Sequence, residues 1–218
     1  MAPDAPQAEV RGLLVDWGGV LTTDIFGSFR SFCRNEGIEP TLVRDLFRHD
    51  PEGRRALFDL ETGTLTEPEF EQRFGELLGL REDRISGLVE RLFGGMKADI
   101  AMFDAVRAAK AAGCRTGLLS NSWGVDRYDR THFPHLFDAV VISGEEGMRK
   151  PDGAIYDLAV QRMELAPEEI VFVDDLPGNL SPARDLGMAT IHHESADVTV
   201  PQLEALLGVR LRGGGAVA

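Results

Sequence analysis

One stretch constrains the chain more than any other: Gly12-Leu13-Leu14-Val15-Asp16-Trp17-Gly18-Gly19-Val20-Leu21. A short apolar run of strand character ends in a single carboxylate. The glycine pair behind it lets the backbone turn tightly and bring its N–H groups close to a bound group. Open α/β sheets place their chemistry at the carboxyl end of a buried strand, beside such a turn.

The remainder of the chain divides by pattern. From about Ile25 to Lys97 there is no β-branched alternation. Leu42–Phe47 has helical spacing after the start signal Pro40-Thr41, and Glu69–Leu78 repeats it after Thr66-Glu67-Pro68. Ile85, Leu88, Val89 and Leu92 make a third amphipathic face, closed by Gly94-Gly95. From Ala98 the rhythm alternates. Helices are expected over 100–112, 154–163, 180–186 and 203–207, and apolar strands over 114–119, 139–142, 170–173 and 189–191. Strands alternating with helices predict a parallel sheet covered on both faces. The fold class is therefore α/β, a Rossmann-like parallel sheet core with an inserted helical domain. The expected boundaries are core at 1–24 and 98–218, and insertion at 25–97.

Composition narrows the function classes. Hydrophobic content of 43% supplies a core, and no apolar run reaches the length of a membrane span. Met1–Val10 reads as a frayed tail rather than a targeting signal, and the end from Arg210, with Gly213-Gly214-Gly215, as disordered. Cys33 and Cys114 have no metal-ligand spacing and read as buried reduced thiols of a cytoplasmic protein. A formal net charge of −13 argues against nucleic-acid or anionic-membrane partners. An anionic substrate then requires a cation in its site.

Polar residues collect at four strand ends or adjoining loops: Asp16, Ser120-Asn121, Lys150 and Asp174-Asp175. In a parallel sheet these converge on one crevice. Several carboxylates make an oxygen-rich site suited to Mg2+, a hard ion that takes few protein ligands. Lysine adds a positive point charge, and the serine hydroxyl with nearby N–H groups can hold phosphoryl oxygens. Asp16 can attack phosphorus and form an aspartyl-phosphate. Positioning and charge neutralisation supply most of the catalysis of phosphoryl transfer.

These motifs, in this order, resemble those of the haloacid dehalogenase-like hydrolases: Asp16-Trp17-Gly18-Gly19-Val20-Leu21, Leu118-Leu119-Ser120-Asn121, Lys150-Pro151-Asp152 and Val171-Phe172-Val173-Asp174-Asp175. Within the family, Ser120-Asn121-Ser122-Trp123 and the run from Val171 to Met188 are especially similar to the N-terminal phosphatase domain of soluble epoxide hydrolase. The resemblance implies a helical cap of the C1 type over the crevice, Mg2+ as cofactor and a small phosphorylated metabolite as substrate. It implies Asp16 as nucleophile and metal ligand, Asp175 as a second ligand, Asp174 holding a metal-bound water, and the Gly18 carbonyl as a further ligand. Ser120 and the Asn121 backbone would hold the phosphoryl group, which Lys150 neutralises. From its place beside the crevice, Trp17 reads equally as a wall of the substrate pocket or as core packing.

The first motif departs from the family in one place, because Gly18 stands where an acid/base aspartate is usual. General acid–base help contributes about 10²–10⁴-fold, so turnover is expected to slow without the electrostatic part being lost. Asp24 is a candidate substitute, although it reads more readily as a helix N-cap. Carbon–halogen hydrolysis also uses an aspartate nucleophile but leaves the paired acids of the fourth motif unexplained. A ligand sensor without turnover is the third alternative.

Several other residues have structural readings of equal weight. Asn179 reads as a cap that orients Asp175. His192-His193 points to opposite faces of a strand and reads as loop or core. His132 and His135 read as surface or packing. Trp17 and Trp123 flank the crevice. Arg54 and Arg55 could meet an anion but fit a solvated helix face.

Overall fold

The computed structural model describes residues 9–124, 128 and 130–211. The expected tails fall largely outside them. Leu211, assigned to the C-terminal tail, is instead buried, and its N–H donates to Glu204.

Five strands are formed: β1 (Gly12–Val15), β2 (Arg115–Ser120), β3 (Ala139–Ile142), β4 (Ile170–Asp174) and β5 (Ala189–His192). They pair in parallel in the order β3-β2-β1-β4-β5. The chain therefore leaves β1 in one direction for β2 and β3, and returns to its other side for β4 and β5. β1 is the switch point of the sheet, where neighbouring loops part and leave a crevice. The apolar alternation of β1 serves two cores. Leu13 and Val15 join Val171 and Val173 on one face, and Leu14 joins Ile170 and Phe172 on the other. Residues of α6 (Ile100–Ala111) and α11 (Ala196–Leu207) cover the first face; those of α9 (Gly153–Met163) and α10 (Pro177–Asp185) cover the second.

Between β1 and α6 the chain is helical: α1 (Ile25–Glu36), α2 (Leu42–His49), α3 (Pro51–Glu61), α4 (Glu67–Leu77) and α5 (Leu88–Phe93). These helices bury a separate apolar cluster that includes Phe29, Phe32, Leu60, Phe70, Phe74 and Leu92. The chain crosses into and out of this layer at one place. Thr22 and Ala98 form an isolated antiparallel bridge, and the Asp99 N–H donates to the Leu21 carbonyl. Asp24 caps α1 by accepting from the N–H groups of Phe26 and Gly27, which is the capping role the sequence favours for it. Two short α-helices, α7 (Phe133–Leu136) and α8 (Ser143–Glu146), and 3₁₀ turns at Arg130–His132 and Pro167–Glu169 also lie among the described residues.

The structure corrects several boundaries. The third amphipathic face is not one helix. Gly87, at φ 72°, interrupts it, leaving a 3₁₀ turn over Glu82–Arg84 before α5. The last helix starts at Ala196 rather than Leu203 and carries Pro201 inside it. α1 and α3 were not marked out individually by spacing. α3 starts at Pro51, with Asp50 accepting from the N–H groups of Glu52 and Gly53.

α2 and α3 pack closely because Gly53 faces the end of α2. A Cβ placed on Gly53 would stand 2.7 Å from the Leu46 carbonyl oxygen. A helical Gly→Ala change ordinarily stabilises by about 1 kcal/mol. Here the sign reverses, because backbone cannot yield as a flexible side chain does. Gly53→Ala is expected to cost about 1–3 kcal/mol, read as a lower midpoint in urea unfolding; a raised midpoint would refute the close packing.

Candidate active site

The carboxyl ends of β2, β1 and β4 lie side by side, and each delivers one polar group. Asp16 follows β1, its N–H bonded to the Val173 carbonyl at 2.9 Å. Asp174 ends β4 and Ser120 ends β2. Lys150 arrives from the loop after α8 and is fully buried. Its Nζ lies 2.9 Å from Asp16 Oδ1 and 2.6 Å from Asp174 Oδ2, with the ring of Phe172 beneath it at 5.4 Å. The Lys150 backbone is fixed by Asn121. Asn121 Oδ1 accepts from the Lys150 N–H at 2.8 Å, and Asn121 Nδ2 donates to the Lys150 carbonyl at 3.0 Å. The ammonium thereby joins the ends of β1 and β4, and the Lys150 backbone joins them to the loop after β2.

The three aspartates differ in what they have left to offer. Asp174 is saturated: besides Lys150 it accepts from the Leu176 N–H at 2.8 Å and from Asn179 Nδ2, which is 3.1 Å from both oxygens. Asn179 therefore grips Asp174 and not Asp175 as expected, because it lies inside α10 and reaches back to the strand end. On Asp16, both Lys150 and the Trp17 N–H, the latter at 2.7 Å, engage Oδ1. Asp175 lies beside the turn at Gly19. That residue has φ 74°, and a Cβ there would fall 2.3 Å from Asp175 Oδ2, so both the turn and the close approach require glycine. Gly18 is different: a Cβ there would meet nothing within 4 Å.

The electrostatics are those of too many carboxylates for one lysine. Burial raises Asp16 to about 6; Lys150 pulls it down and Asp174 pushes it up. Burial, then Asp16 and Asp174, raises Asp175 to about 7. Burial alone would lower Lys150, but the two aspartates outweigh it and hold the ammonium above its ordinary value. One oxygen from each of Asp16, Asp174 and Asp175 lies within 4.8 Å of the other two. An all-oxygen donor set with a residual negative charge fits a hard divalent cation of the Mg2+ kind.

The cluster opens into a cavity of about 420 Å³. Asp16, Gly18, Ser120, Asn121, Lys150 and Asp175 line its floor. The facing wall is apolar and aromatic, with Phe26, Phe29, Phe47 and Phe93 from the helical layer. Trp17 and Trp123 both line it. Trp17 packs edge-on against Phe103 and Tyr128, whereas Trp123 reaches into the helical layer against Phe29, Phe47 and Phe93. Each is wall and core at once.

Some lining residues escaped sequence reasoning. Tyr128 pairs with the Ser120 hydroxyl at 2.9 Å. Arg44 and Arg48, four apart on α2, line the cavity, while Arg54 and Arg55 do not; Arg55 pairs with Asp59 within its own helix. The helical spacing of Arg44, Phe47 and Arg48 was the available signal. Glu61 and Arg149 also line the cavity, and nothing local marks a helix-end glutamate for burial. His193 is buried against Thr199 and His192 is exposed, which makes them no ligand pair. Cys33 and Cys114 are buried and free.

Comparison with known proteins gives the family and the fold. A family model described as haloacid dehalogenase-like hydrolase matches residues 10–187. The chain belongs to that family and is a hydrolase of its α/β fold. Bifunctional epoxide hydrolase 2 of Sus scrofa is 34% identical over 134 residues, 58% of this chain but 24% of that protein, so the match spans about a quarter of the relative. The sesquiterpene phosphatase astK of Aspergillus oryzae is 26% identical over 151 residues, 68% of this chain and 77% of that one. Among solved structures, a HAD-like family hydrolase from Porphyromonas gingivalis superposes with a TM-score of 0.69 at 25% identity, covering 93% of this chain and all of the other. A HAD family enzyme from Bacteroides thetaiotaomicron, solved with magnesium and inorganic phosphate, shares the fold at 20% identity and a TM-score of 0.64, covering 85% of this chain and 94% of that one.

Lys150 makes the sharpest stability prediction. A lysine raised in the folded state contributes stability that is fully present below its unfolded pKa of about 10.4. That stability is lost only as pH rises through the higher folded value, so at pH 7 all of it is in place. Removing one member of a buried ion group costs about 3–5 kcal/mol. Lys150→Met is expected to lose that much in urea unfolding at pH 7, and adding Asp174→Asn should restore part of it. A loss under about 1 kcal/mol would mean that the ammonium does not hold the site together.

Proposed function

We propose that the chain is a Mg2+-dependent phosphomonoesterase that works through an aspartyl-phosphate on esters whose alcohol part is bulky and apolar. The observation that carries this reading is the Lys150-bridged pair Asp16 and Asp174, beside Asp175, at the floor of an aromatic cavity. Carbon–halogen hydrolysis would use Asp16 but leave two further carboxylates without work. A sensor without turnover would have no need of a nucleophile held ready by a buried lysine.

Each residue has a role in that reading. Asp16 Oδ1 is taken by Lys150 and the Trp17 N–H, which leaves Oδ2 to attack phosphorus. Ser120 and the Asn121 backbone hold phosphoryl oxygens, and Lys150 offsets charge between them and Asp16. Asp16, Asp175 and the Gly18 carbonyl would hold Mg2+, with Asp174 reaching it through a water. When bound, the ion would neutralise the phosphoryl oxygens as charge moves onto them. Residues 25–97 act as the cap on the core formed by 1–24 and 98–218. The separate apolar cluster of the helical layer and the single paired crossing at Thr22 and Ala98 support that division.

The cavity wall supports the substrate class. Phe26, Phe29, Phe47, Phe93 and Trp123 give much of the wall an apolar face that favours a hydrocarbon or aryl group, with Arg44 and Arg48 on the same wall. A phosphatase of a sesquiterpene among the relatives is consistent with that preference, as is a neighbour solved with magnesium and phosphate with the metal site.

Phosphate release from p-nitrophenyl phosphate is expected with Mg2+, lost with EDTA and absent in Asp16→Asn. Retention of activity in Asp16→Asn would overturn the assignment. Along a series of n-alkyl phosphates, kcat/KM should climb by up to roughly fourfold per methylene, the equivalent of about 0.8 kcal/mol, until the cavity is full. Phe47→Ala should flatten the climb. A preference for glucose 6-phosphate over octyl phosphate would refute the apolar substrate class.

A further inference from the structure

Gly18 removes an acid/base side chain, and the cavity contains another carboxyl group that the reading above leaves unused. Glu61 is the last residue of α3, in the helical layer, yet its backbone is fastened to the sheet. The Ser143 hydroxyl, just after β3, donates to the Glu61 carbonyl. Two residues on, Gly63 approaches Gly144 so closely that a Cβ would stand 2.6 Å from the Gly144 carbonyl oxygen. Glu61 is only 4% exposed and lines the same cavity as Asp16 and Gly18.

Its partnership is incomplete. Glu61 Oε2 and Arg149 Nε lie 2.8 Å apart, but without the alignment a hydrogen bond needs, so neither atom has a hydrogen-bond partner. The charged and titratable groups that face Glu61 are Arg149, Lys150 and Asp16, with the Tyr128 phenol nearby. Because Glu61 lines the cavity, its carboxyl group is placed to exchange a proton with what enters there. Burial raises Glu61 to about 7, against the pull of Arg149 and Lys150, which suits both giving and taking a proton near neutrality.

We propose that Glu61 is the catalytic general acid and base that replaces the side chain missing at Gly18; the proposal rests on the phosphomonoesterase reading. In the first step Asp16 bonds to phosphorus, the phosphorus–ester oxygen bond breaks, and the leaving oxygen takes the proton of the Glu61 carboxyl group. The alcohol departs and Glu61 is left as carboxylate. In the second step water bonds to phosphorus and gives its proton to Glu61. The bond from phosphorus to Asp16 breaks, freeing inorganic phosphate and restoring both residues.

The alternative is an ion pair that merely fastens α3 to the core. The two separate on leaving-group dependence. p-Nitrophenolate leaves without a proton, whereas an alkoxide does not. Glu61→Gln should therefore lower kcat/KM for octyl phosphate by about 10²–10⁴, and by at least tenfold less for p-nitrophenyl phosphate. The octyl phosphate profile of the wild type should fall above about pH 7, and that limb should vanish in Glu61→Gln. The space beside Gly18 is open, so Gly18→Asp in the Glu61→Gln background should recover turnover of octyl phosphate selectively. Equal losses on both esters, or a wild-type profile without the limb, would overturn the assignment of Glu61 and leave the phosphatase standing. A wild type that releases phosphate from neither ester with Mg2+ would overturn both. The wild-type profile decides even if the variant does not fold.

Discussion

The ammonium group of Lys150 is the element on which the site depends. It has no contact with solvent, and it ties together the carboxylates that end β1 and β4. Isolated, any one of these charges would be costly to bury. Together they remain in place because each is paired and further bonded: Asp174 by Leu176 and Asn179, Asp16 by Trp17, and the Lys150 backbone by Asn121. Such an arrangement is a poor source of net stability compared with apolar packing, but its loss in part is expensive. On the proposed reading its benefit is positional, since it holds Asp16 and its charge partners in one geometry before substrate arrives.

The ammonium leaves charge over. Asp16 near 6 and Asp175 near 7 are carboxylates that burial and mutual repulsion have pushed upward. An acidic chain facing an anionic substrate needs a cation at this point, and the all-oxygen donor set determines which kind of cation it accepts. Opposite this polar floor the helical layer presents aromatic rings, with Arg44, Arg48 and Glu61 among them. A ligand suited to both halves is charged at one end and apolar at the other.

Glu61 shows how a fold can relocate a chemical group. The turn after β1 carries glycine at position 18 and open space where a side chain would stand, and a carboxyl group enters the same cavity from a helix end about forty residues later. The bond from Ser143 and the close approach at Gly63 hold that helix end to the sheet, so its position does not depend on the helical layer alone.

The sequence by itself determined the sheet and the polar residues that gather at its floor. Short continuous apolar runs, each ending in a polar residue, predict buried strands and their carboxyl ends, and a parallel sheet brings those ends to one crevice whatever the intervening length. Asp16, Ser120, Lys150 and Asp174 were legible for that reason. Only the tertiary structure decided what faces them. Arg44, Phe47 and Glu61 lie on helix faces whose local pattern is that of ordinary amphipathic packing. Which of them turn toward the floor follows from how α1 to α5 pack against one another and onto the sheet edge. Burial, which lifts Glu61 far from its ordinary value, is a property of that packing and leaves no mark in the neighbouring residues.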